Sequence, residues 1–333
     1  MHSVGYTCGV MTPISTRESR ILTAALKKRE SLLTDRKTTA YRLLSGSFEG
    51  LPGVFVDRYG DVAVMMVYQG EVSSYFEPRA FAELLINRLD LKAVYLKHFI
   101  PDRSRSRKKI DERLYDPSPI VREPVPEAIT ILENGLKFEV HMYDGFSTGL
   151  FLDQRVNRAA LAERARGKRV LNMFSYTCGF SVYCAAAGST VTSVDVSSRY
   201  LDWGKHNFQL NDIDPDEHYF ARMDAFDFLG MGERRGFRYD LIILDPPSFS
   251  AGKKGKSFSI KRDYPRLLRE ANKLLASGGF IFASTNNSAL AQGDVFDDMI
   301  EKAFRGHLQR RRLPKVPVDF ASEKNRMICR LYG

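Results

Sequence analysis

The sequence predicts an α/β protein with a mostly parallel sheet in its carboxyl-terminal part. Residues 169–174 (RVLNMF) have the pattern of a strand, residues 175–179 form a turn with a glycine, and residues 180–187 form a helix of small residues before a second strand at 191–194. This order is that of a parallel βαβ unit. A later apolar run, Leu241–Leu244, is short and uninterrupted, as expected for a strand that is buried on both faces.

The composition is that of a globular protein with about two domains. The chain has 333 residues, of which 44% are hydrophobic and 27% charged. It has no apolar run of the roughly 18 to 20 residues that a membrane span needs, and its first residues do not have the pattern of a secretory signal. We therefore expect a cytoplasmic protein without a membrane partner.

The cysteines do not indicate a metal site. The four of them, Cys8, Cys178, Cys184 and Cys329, lack metal-ligand spacing. Cys178 and Cys184 are more typical of small buried packing residues than of a disulfide. The sequence therefore predicts no bound metal.

The charge distribution favours a polyanionic partner. The net charge is +10, and basic residues cluster at 103–109 with Arg113, at 164–169 and at 305–315. Each cluster alone is equally well explained as a solvated surface. Three clusters together favour a nucleic-acid phosphate backbone as the ligand.

The amino-terminal third predicts an accessory module that precedes a catalytic domain. Residues 16–34 carry apolar positions at helical spacing, and we assign residues 1–38 to a helical extension. Residues 39–143 contain alternating strand patterns, turn residues and one helix pattern. We assign them to a small α+β accessory domain, a candidate for RNA binding, and residues 144–333 to the catalytic domain.

Residues 144–158 (DGFSTGLFLDQRVNR) have two interpretations. A plain helix start explains Asp153 and Arg158. It does not explain the glycines at 145 and 149 around a Ser-Thr pair, which favour a segment that lines a ligand. The residues leave both interpretations open.

The βαβ unit predicts a nucleotide-type cofactor. Asp195 ends its second strand, about 20 residues after the first, where a carboxylate can accept hydrogen bonds from a ribose diol. The turn has one glycine instead of the G-x-G-x-x-G of dinucleotide sites. Asn172, Ser175 and Thr177 suit an amino-acid carboxylate and amine better than a diphosphate, which favours S-adenosylmethionine over NAD. Asp224, after the third strand, is placed to meet an adenine.

The buried strand at 241–244 ends at Asp245-Pro246-Pro247, with Phe249 just beyond. Prolines cannot continue a ladder, and the carboxyl ends of strands in α/β sheets are where ligands bind. A rigid carboxylate beside an aromatic ring suits a flat, hydrogen-bonding substrate such as a nucleobase. The alternative is a strand end capped by a turn. The basic segment 252–256 lacks P-loop spacing and is predicted to be a lid over nucleic acid.

Several segments together resemble the class I S-adenosylmethionine-dependent methyltransferases that act on bacterial 23S ribosomal RNA. The matching segments are 51–61 (LPGVFVDRYGD), 147–155 (STGLFLDQR), 171–182 (LNMFSYTCGFSV), 193–211 (SVDVSSRYLDWGKHNFQLN) and 244–250 (LDPPSFS). The resemblance covers most of the chain from about residue 40 onwards. It implies a Rossmann-like fold with a mostly parallel seven-stranded sheet, beside the small α+β accessory domain.

The resemblance also implies roles for individual residues. Gln154 and Arg155 frame the cofactor site. The cofactor loop contributes Asn172, Phe174, Ser175, Tyr176, Thr177 and Gly179. Asp195 lies on the ribose, Asp224 near the adenine and Asp245 at the methyl-transfer site. We group Asp245 with Pro246, Phe249 and Asn286 as the predicted catalytic residues.

Two departures separate the sequence from the cytosine-C5 branch of this family. That branch starts with a PUA domain, and only some 40 residues precede the matching region here. It also has a cysteine-bearing Ser-Cys-Ser-like stretch where this sequence has Ser284-Thr285-Asn286-Asn287. Cytosine C5 is a poor nucleophile until a thiolate adds at C6. The sequence is more similar to the guanine-N7 branch, which also lacks a PUA domain.

We therefore predict methyl transfer from S-adenosylmethionine to 23S ribosomal RNA, favouring guanine N7 and releasing S-adenosylhomocysteine. Asp245 would accept from guanine N1–H or the amine, Phe249 would stack on the base, and Asn286 or Asn287 would bond its edge. A cytosine-C5 methyltransferase and a non-enzymatic RNA-binding protein with a relic fold are the alternatives. The missing glycine fingerprint disfavours a nicotinamide oxidoreductase. The sequence leaves open the nucleotide and the oligomeric state, monomer or homodimer.

Overall fold

The computed structural model of the chain describes residues 16–99, 115–250, 258–287, 289–290, 294–321 and 327–333, except for residue 248 and the side chains of 249 and 250. The basic clusters at 103–109 and 252–256, together with Arg113 and Cys8, lie outside the described residues. Backbone contacts divide the chain into two compact units. The first unit comprises the described residues up to Ile129 together with His141–Thr148, and the second comprises Thr130–Val140 and the described residues from Gly149.

The first unit is a five-stranded sheet with helices. Its strands follow in the order β1-β2-β3-β4-β5, and all neighbours are antiparallel except β3 and β4. The strands and helices are β1 (Ala40–Ser45), β2 (Val54–Tyr59), β3 (Val62–Tyr68), β4 (Ala93–Phe99), β5 (Val121–Arg122), α1 (Thr16–Lys28), α2 (Glu30–Leu33) and α3 (Pro78–Leu89). Helix α3 connects the two parallel strands, since a parallel pair needs a crossover.

Helix α1 shares the core of this sheet. Its Leu22 is buried in one apolar cluster with Leu43 of β1, Val56 of β2 and Phe81 of α3. Residues 16–38, which the sequence prediction assigned to a separate extension, thus pack in the first unit. The assignment of residues 1–38 to a functionally separate helical extension stays a prediction.

A β-hairpin follows the first unit in sequence. Its strands are β6 (Ala128–Glu133) and β7 (Leu136–His141), and the turn residues Asn134 and Gly135 have φ of 50° and 86°. Two successive residues with positive φ are typical of the type I′ turn, whose twist matches that of the strands. Residues 130–140 fall within the predicted accessory range but pack in the second unit, where the ring of Phe138 stacks on Tyr183.

The second unit is built on a seven-stranded sheet with the order β10-β9-β8-β11-β14-β16-β15. The first five strands in this order are parallel, β16 is antiparallel to β14, and β15 is antiparallel to β16. Its strands are β8 (Arg169–Met173), β9 (Thr190–Asp195), β10 (Tyr219–Arg222), β11 (Tyr239–Leu244), β14 (Leu275–Thr285), β15 (Arg310–Arg311) and β16 (Ile328–Tyr332). A separate short ribbon pairs β12 (Phe249–Ser250) with β13 (Phe258–Ser259). The structure confirms the predicted Rossmann-like α/β fold.

Six α-helices lie in the described part of this unit, five of them between strands of the sheet and the first one before β8. They are α4 (Arg155–Arg164), α5 (Gly179–Ala186), α6 (Ser198–Leu210), α7 (Ala225–Arg234), α8 (Ile260–Lys273) and α9 (Val295–Phe304). The central strands are buried on both faces because helices cover them: Ile242, Ile243 and Leu244 of β11 have no exposed surface. In the part of the chain that is described, no helix is long and apolar enough to cross a bilayer.

The strand order reverses between β8 and β11. From β8 the chain proceeds outwards to β9 and β10, and it then returns to place β11 on the other side of β8. Ligands of open α/β sheets bind outside the carboxyl ends of the strands at such a switch point. The fold therefore places the site at the ends of β8 and β11.

Helix α6 approaches the turn after β8 so closely that only glycine fits at position 204. A Cβ atom on Gly204 would lie 2.9 Å from the Cβ of Cys178 and still closer to its sulfur. We expect Gly204→Ala to lower the free energy of unfolding by about 1–3 kcal/mol, the usual cost of overpacking. Urea denaturation measures this change.

Gly230 is the matched control within α7, because its added Cβ would meet only the end of the Arg234 side chain at 3.5 Å. Gly230→Ala should raise the stability by about 0.4–1 kcal/mol, since alanine loses less entropy in a helix. Cys178→Gly should restore the stability of the Gly204→Ala variant, because it removes the Cys178 side-chain atoms that the new Cβ would meet. Glycine also adopts the φ of +63° at position 178 without strain. Equal effects at both glycines would contradict the proposed close approach.

Candidate active site

The ends of five parallel strands bring the predicted site residues to one edge of the sheet. Met173 pairs with both Val194 and Leu244, and Leu244 pairs with Ala283. The residues that follow these positions therefore lie in one row. They are Phe174, Asp195, Asp245 and Ser284, with Asp224 two residues beyond β10 and Asn286 directly after β14.

The turn after β8 has a strained backbone. Phe174, Tyr176 and Cys178 have φ of 58°, 50° and 63°, which costs an L-residue roughly 1–2 kcal/mol each. Hydrogen bonds hold this conformation: Ser175 N donates to Val194 O at 3.0 Å, and Tyr176 N donates to the Asp195 carboxylate at 3.0 Å. Strain of this kind clusters at ligand sites. The turn is thus the strongest structural indication of a binding site here.

The polar side chains of this turn differ in what they contact. The Asn172 amide donates to Ser181 Oγ at 2.9 Å, and this hydroxyl lies 2.8 Å from Ser193 Oγ. Thr177 Oγ1 donates to Gly149 O. Ser175 Oγ is 95% buried and has no hydrogen-bond partner among the described residues. Of these side chains, Ser175 leaves a buried polar atom for a ligand.

Asp195 at the end of β9 is fixed by the backbone. One carboxylate oxygen accepts from Tyr176 N at 3.0 Å and the other from Ser197 N at 2.9 Å. Burial raises the pKa of Asp195 above its ordinary value, although these backbone N–H groups oppose the shift. Asp224 is exposed and caps α7, with one oxygen accepting from Phe226 N at 2.9 Å.

Aromatic rings surround Tyr176 beside the turn. The ring of Tyr200 lies 4.5 Å from that of Tyr176 in an edge-on arrangement, and the ring of Phe151 lies 5.6 Å away. Phe151 is half exposed. Phe174 contacts Phe258 of β13, with 5.5 Å between the ring centroids. The turn therefore carries aromatic rings next to its polar atoms.

Asp245 lies at the end of β11 in a polar corner. Ser284 Oγ donates to the Asp245 carboxylate, and the Gln154 amide also hydrogen-bonds it. Burial raises the pKa of Asp245 above its ordinary value, although both hydrogen bonds and the charge of Arg158 oppose the shift. Pro246 is buried directly after it. The corner thus holds a carboxylate in one orientation.

The other two predicted catalytic residues, Phe249 and Asn286, follow the strands β11 and β14. Asn286 is exposed at the end of β14, whereas the side chain of its neighbour Asn287 accepts from Ala289 N at 3.1 Å. The backbone of Phe249 pairs with Ser259. The predicted stacking role of the Phe249 ring lies outside the described residues.

Three residues that the sequence prediction missed position Gln154. Asn157 donates to Gln154 Oε1 at 2.7 Å, the Cys329 thiol lies 3.7 Å from the same oxygen, and Gln154 Nε2 contacts the sulfur of Met327. Residues 154 and 157 share one helix face because they are three apart. That spacing was the available signal for Asn157. No local pattern indicates Cys329 or Met327, which lie more than 170 residues away in the chain.

The structure pairs the two arginines of the 144–158 segment with buried carboxylates. Arg155 Nη2 lies 2.6 Å from Asp319, and Arg158 donates two hydrogen bonds to Glu133 at 2.7 and 2.8 Å. Asp319 and Glu133 have no exposed surface. The pair with Asp319 therefore anchors the start of α4, and the predicted contact of Arg155 with a cofactor stays a prediction.

Burial raises the pKa of the three described cysteines. It raises the pKa of Cys178 to about 11 and that of Cys184 to about 12, and it also raises the pKa of Cys329, which lies close to Asp245 and Asp153. A thiol with a raised pKa is a poor nucleophile, because the thiolate is the reactive species. Among the described residues, no three potential metal ligands of the His, Cys, Asp and Glu type lie together.

The buried pair of Arg155 and Asp319 provides a stability test. Asp319→Asn leaves the guanidinium buried without a counter-charge, which should lower the free energy of unfolding by about 3–5 kcal/mol. Glu163→Gln, the control, breaks the exposed pair with Arg166 and should cost about 0–1 kcal/mol. Urea denaturation compares the two variants. A loss at Asp319 as small as that at Glu163 would contradict the structural role of the pair.

Comparisons with known proteins assign the family. The sequence profile of the S-adenosylmethionine-dependent methyltransferases matches residues 104–324. A Bacillus subtilis protein assigned as a ribosomal RNA large subunit methyltransferase is 36% identical over 307 residues, which cover 90% of this chain and 74% of that protein. The ribosomal RNA large subunit methyltransferase of Deinococcus radiodurans is 36% identical over 289 residues, which cover 85% and 69%.

A solved structure agrees with this assignment. The crystal structure of a protein assigned as a methyltransferase, in complex with S-adenosylhomocysteine, superposes with a TM-score of 0.82 at 30% identity, and the match covers 96% of this chain and 83% of that one. The profile spans well over half of this chain. The protein therefore belongs to the S-adenosylmethionine-dependent methyltransferase family.

Proposed function

We propose that this protein transfers a methyl group from S-adenosylmethionine to a base of 23S ribosomal RNA, with guanine N7 as the acceptor. The relatives from B. subtilis and D. radiodurans carry ribosomal RNA large subunit methyltransferase in their names. One observation carries the choice of a nitrogen acceptor: Cys178 and Cys184 have no exposed surface, and burial raises the pKa of each described cysteine. A base that needs covalent activation by a thiolate is therefore disfavoured.

The turn at 174–178 and the start of α5 support the cofactor site in this proposal. Bound S-adenosylmethionine supplies an electrophilic methyl group on its sulfonium sulfur. Ser175 Oγ and the N–H groups from Gly179 onwards would hold its amino-acid part, because the first N–H groups of a helix have no partner within it. Asp195 would accept from the ribose, since its oxygens keep lone pairs beyond the backbone contacts. Asp224 would lie near the adenine.

The remaining residues of the predicted cofactor loop would position these groups. Asn172 and Thr177 hold the turn through Ser181 and Gly149. Phe174 and Tyr176 would provide its apolar surfaces. Gln154 and Arg155 would act on the site through Asp245 and Asp319.

Asp245 would orient the acceptor base. Its carboxylate would accept from guanine N1–H or the exocyclic amine, while Pro246 keeps the corner rigid. Asn286 would bond the base edge and Phe249 would stack on the ring. Guanine N7 carries a free lone pair and no proton, so attack on the methyl group needs no general base. Catalysis then consists mainly of positioning, and the base has to leave its stack to reach the corner.

The first unit would bind the flanking RNA, as its α+β composition and the basic segment 103–109 suggest. Its described residues include a row of aromatic rings, Phe55, Tyr68, Phe99 and Phe146, with successive centroids 5.4, 4.9 and 5.5 Å apart. Bases stack on exposed aromatic rings with little dependence on sequence, and Phe146, just after the range 39–143, is half exposed. The three rings within the range 39–143 would support Phe146 from beneath, which favours this part of the first unit as an RNA-binding region.

The acceptor atom is tested with ribosomal RNA from a deletion strain. Purified protein and S-adenosylmethionine should restore one methylated nucleoside, which mass spectrometry should identify as 7-methylguanosine. Replacing Cys178 or Cys184 by alanine, or Cys329 by serine to keep a polar contact with Gln154, should leave a folded, active enzyme, because no thiolate takes part. A 5-methylcytidine product would instead assign the cytosine-C5 reaction. So would a cysteine variant that forms no product but still binds S-adenosylhomocysteine. No methylation of any base would favour the relic RNA-binding protein.

Asp245→Asn separates substrate orientation from cofactor binding. Loss of one charge-assisted hydrogen bond, about 1.5–3 kcal/mol, should lower kcat/KM by roughly 10- to 150-fold while the Kd for S-adenosylhomocysteine stays unchanged. Asp240→Asn on the same strand is the control, because Asp240 is bound to Arg169 at the opposite edge of the sheet. Equal activity of both variants would contradict the role of Asp245.

The same carboxylate sets the acid limb of the pH profile. The pKa of Asp245 is raised in the folded protein, and acceptance of a hydrogen bond needs the ionised form. Activity should therefore be complete above this pKa and decline as the pH falls through it, at a higher pH than an ordinary aspartate would give. Ser284→Ala should move the decline to still higher pH, because it removes a donor that stabilises the carboxylate.

A further inference from the structure

The carboxyl-terminal segment of the second unit forms a large cleft. We call it the carboxyl-terminal cleft, with a volume of about 1160 Å³ and a lining from residues 310–318, 320–321 and 327–330, together with Asp153 and Asn157. Ligand pockets for small molecules usually measure about 300–1,000 Å³. The cleft is thus large enough for part of a polymer.

The cleft adjoins the acceptor corner. Its lining residues Asn157 and Cys329 contact Gln154 Oε1, and the amide of Gln154 hydrogen-bonds Asp245. Cys329 of β16 also pairs with Ser284 of β14. Strands β14 and β16 lie on one side of β11, whereas the strained turn follows β8 on the other side. The cleft therefore flanks the acceptor position away from the proposed cofactor site.

Positive charge dominates the lining of the cleft, with four arginines and one lysine against Asp153. Arg310 and Arg330 are paired with Asp297 at 3.4 and 2.5 Å. Arg312 and Lys315 are exposed, and neither forms an ion pair within the described ranges. These two cations are therefore available to a ligand without the loss of an existing ion pair.

The cleft also offers apolar surface next to these cations. Val318 is half exposed, and Leu313, Val316 and Met327 are partly exposed in the lining. A ligand with anionic groups at intervals and flat apolar rings between them matches this lining. A nucleic-acid strand has this chemistry, whereas a free anion would leave the apolar surface uncovered.

We propose that the carboxyl-terminal cleft binds the RNA strand next to the methylated nucleotide, with Arg312 and Lys315 on its phosphates. This inference rests on the proposed function and assigns the path of the substrate on the far side of Asp245. Bases adjoining the target would contact the apolar lining. Neutralised phosphates release counterions, so each contact adds to the salt dependence of binding.

The test compares Arg312→Ala/Lys315→Ala with wild type in binding a fluorescein-labelled single-stranded oligoribonucleotide at several salt concentrations. The slope of log K against log salt should become less steep by about 1.4, because a single strand gives about 0.7 per phosphate contact. RNA affinity should fall, and the Kd for S-adenosylhomocysteine should stay unchanged. The matched control is Arg234→Ala/Arg235→Ala, at the exposed end of α7, which should behave as wild type.

Further variants keep the result decisive. Arg312→Lys/Lys315→Arg preserves both charges and should retain RNA affinity, which separates charge from folding. If wild type methylates ribosomal RNA but the alanine variant shows an unchanged salt slope, RNA binding by the cleft is refuted. The proposed function would then still stand. Failure of wild type to methylate ribosomal RNA would refute the proposed function itself. If poly-glutamate displaces RNA from the cleft when both are present at the same total negative charge, the cleft would instead be assigned to an acidic protein.

Discussion

The site of this protein depends on the register of its parallel strands at the switch point. Because Met173, Val194, Leu244 and Ala283 lie at one level, the residues that follow them are neighbours although they are far apart in sequence. The strand order then divides the edge into two halves. The strained turn and Asp195 lie on one half, and Asp245 with Ser284 lies on the other. A donor and an acceptor on the two halves would meet at the boundary.

Backbone strain and buried charge are combined in this arrangement. Asp195 stabilises the left-handed conformation of Tyr176 by accepting its N–H group, so the same carboxylate shapes the turn and remains available to a ligand. Arg155 and Arg158 carry charge into the core, where Asp319 and Glu133 neutralise it. Such pairs contribute less to stability than their Coulomb energy suggests, because both charges lose their hydration on burial. Helix α4 in turn positions Gln154 beside Asp245.

The protonation states of the site agree with chemistry that depends on positioning. Burial raises the pKa of the cysteines and of Asp245 alike, but its consequence differs between them. A thiol becomes less reactive as its pKa rises, whereas the ionised Asp245 carboxylate is a directed acceptor because Ser284 holds it in one orientation. A nucleophile with its own lone pair, such as a ring nitrogen, needs an acceptor that orients the base. It does not need a reactive thiol.

The sequence by itself determined the elements that local patterns encode. The βαβ unit at 169–195, the buried strand before Asp245 and the helix Pro78–Leu89 follow from periodicity, glycines and prolines. The cofactor class and the family followed from motifs whose spacing is short. The structure confirms the Rossmann-like fold, and the comparisons show the family.

Only the tertiary structure decided which distant residues complete the site. Arg155 meets Asp319 across 164 positions, and Asn157 meets Cys329 across 172; no local period encodes such a pair. The packing of the hairpin at 130–140 in the second unit likewise depends on side chains of α5 and α6. The burial that raises the pKa of the Cys178 and Cys184 thiols is a property of the assembled core. Contacts between residues far apart in the chain arise from packing, and packing exists only once the strands have taken their order.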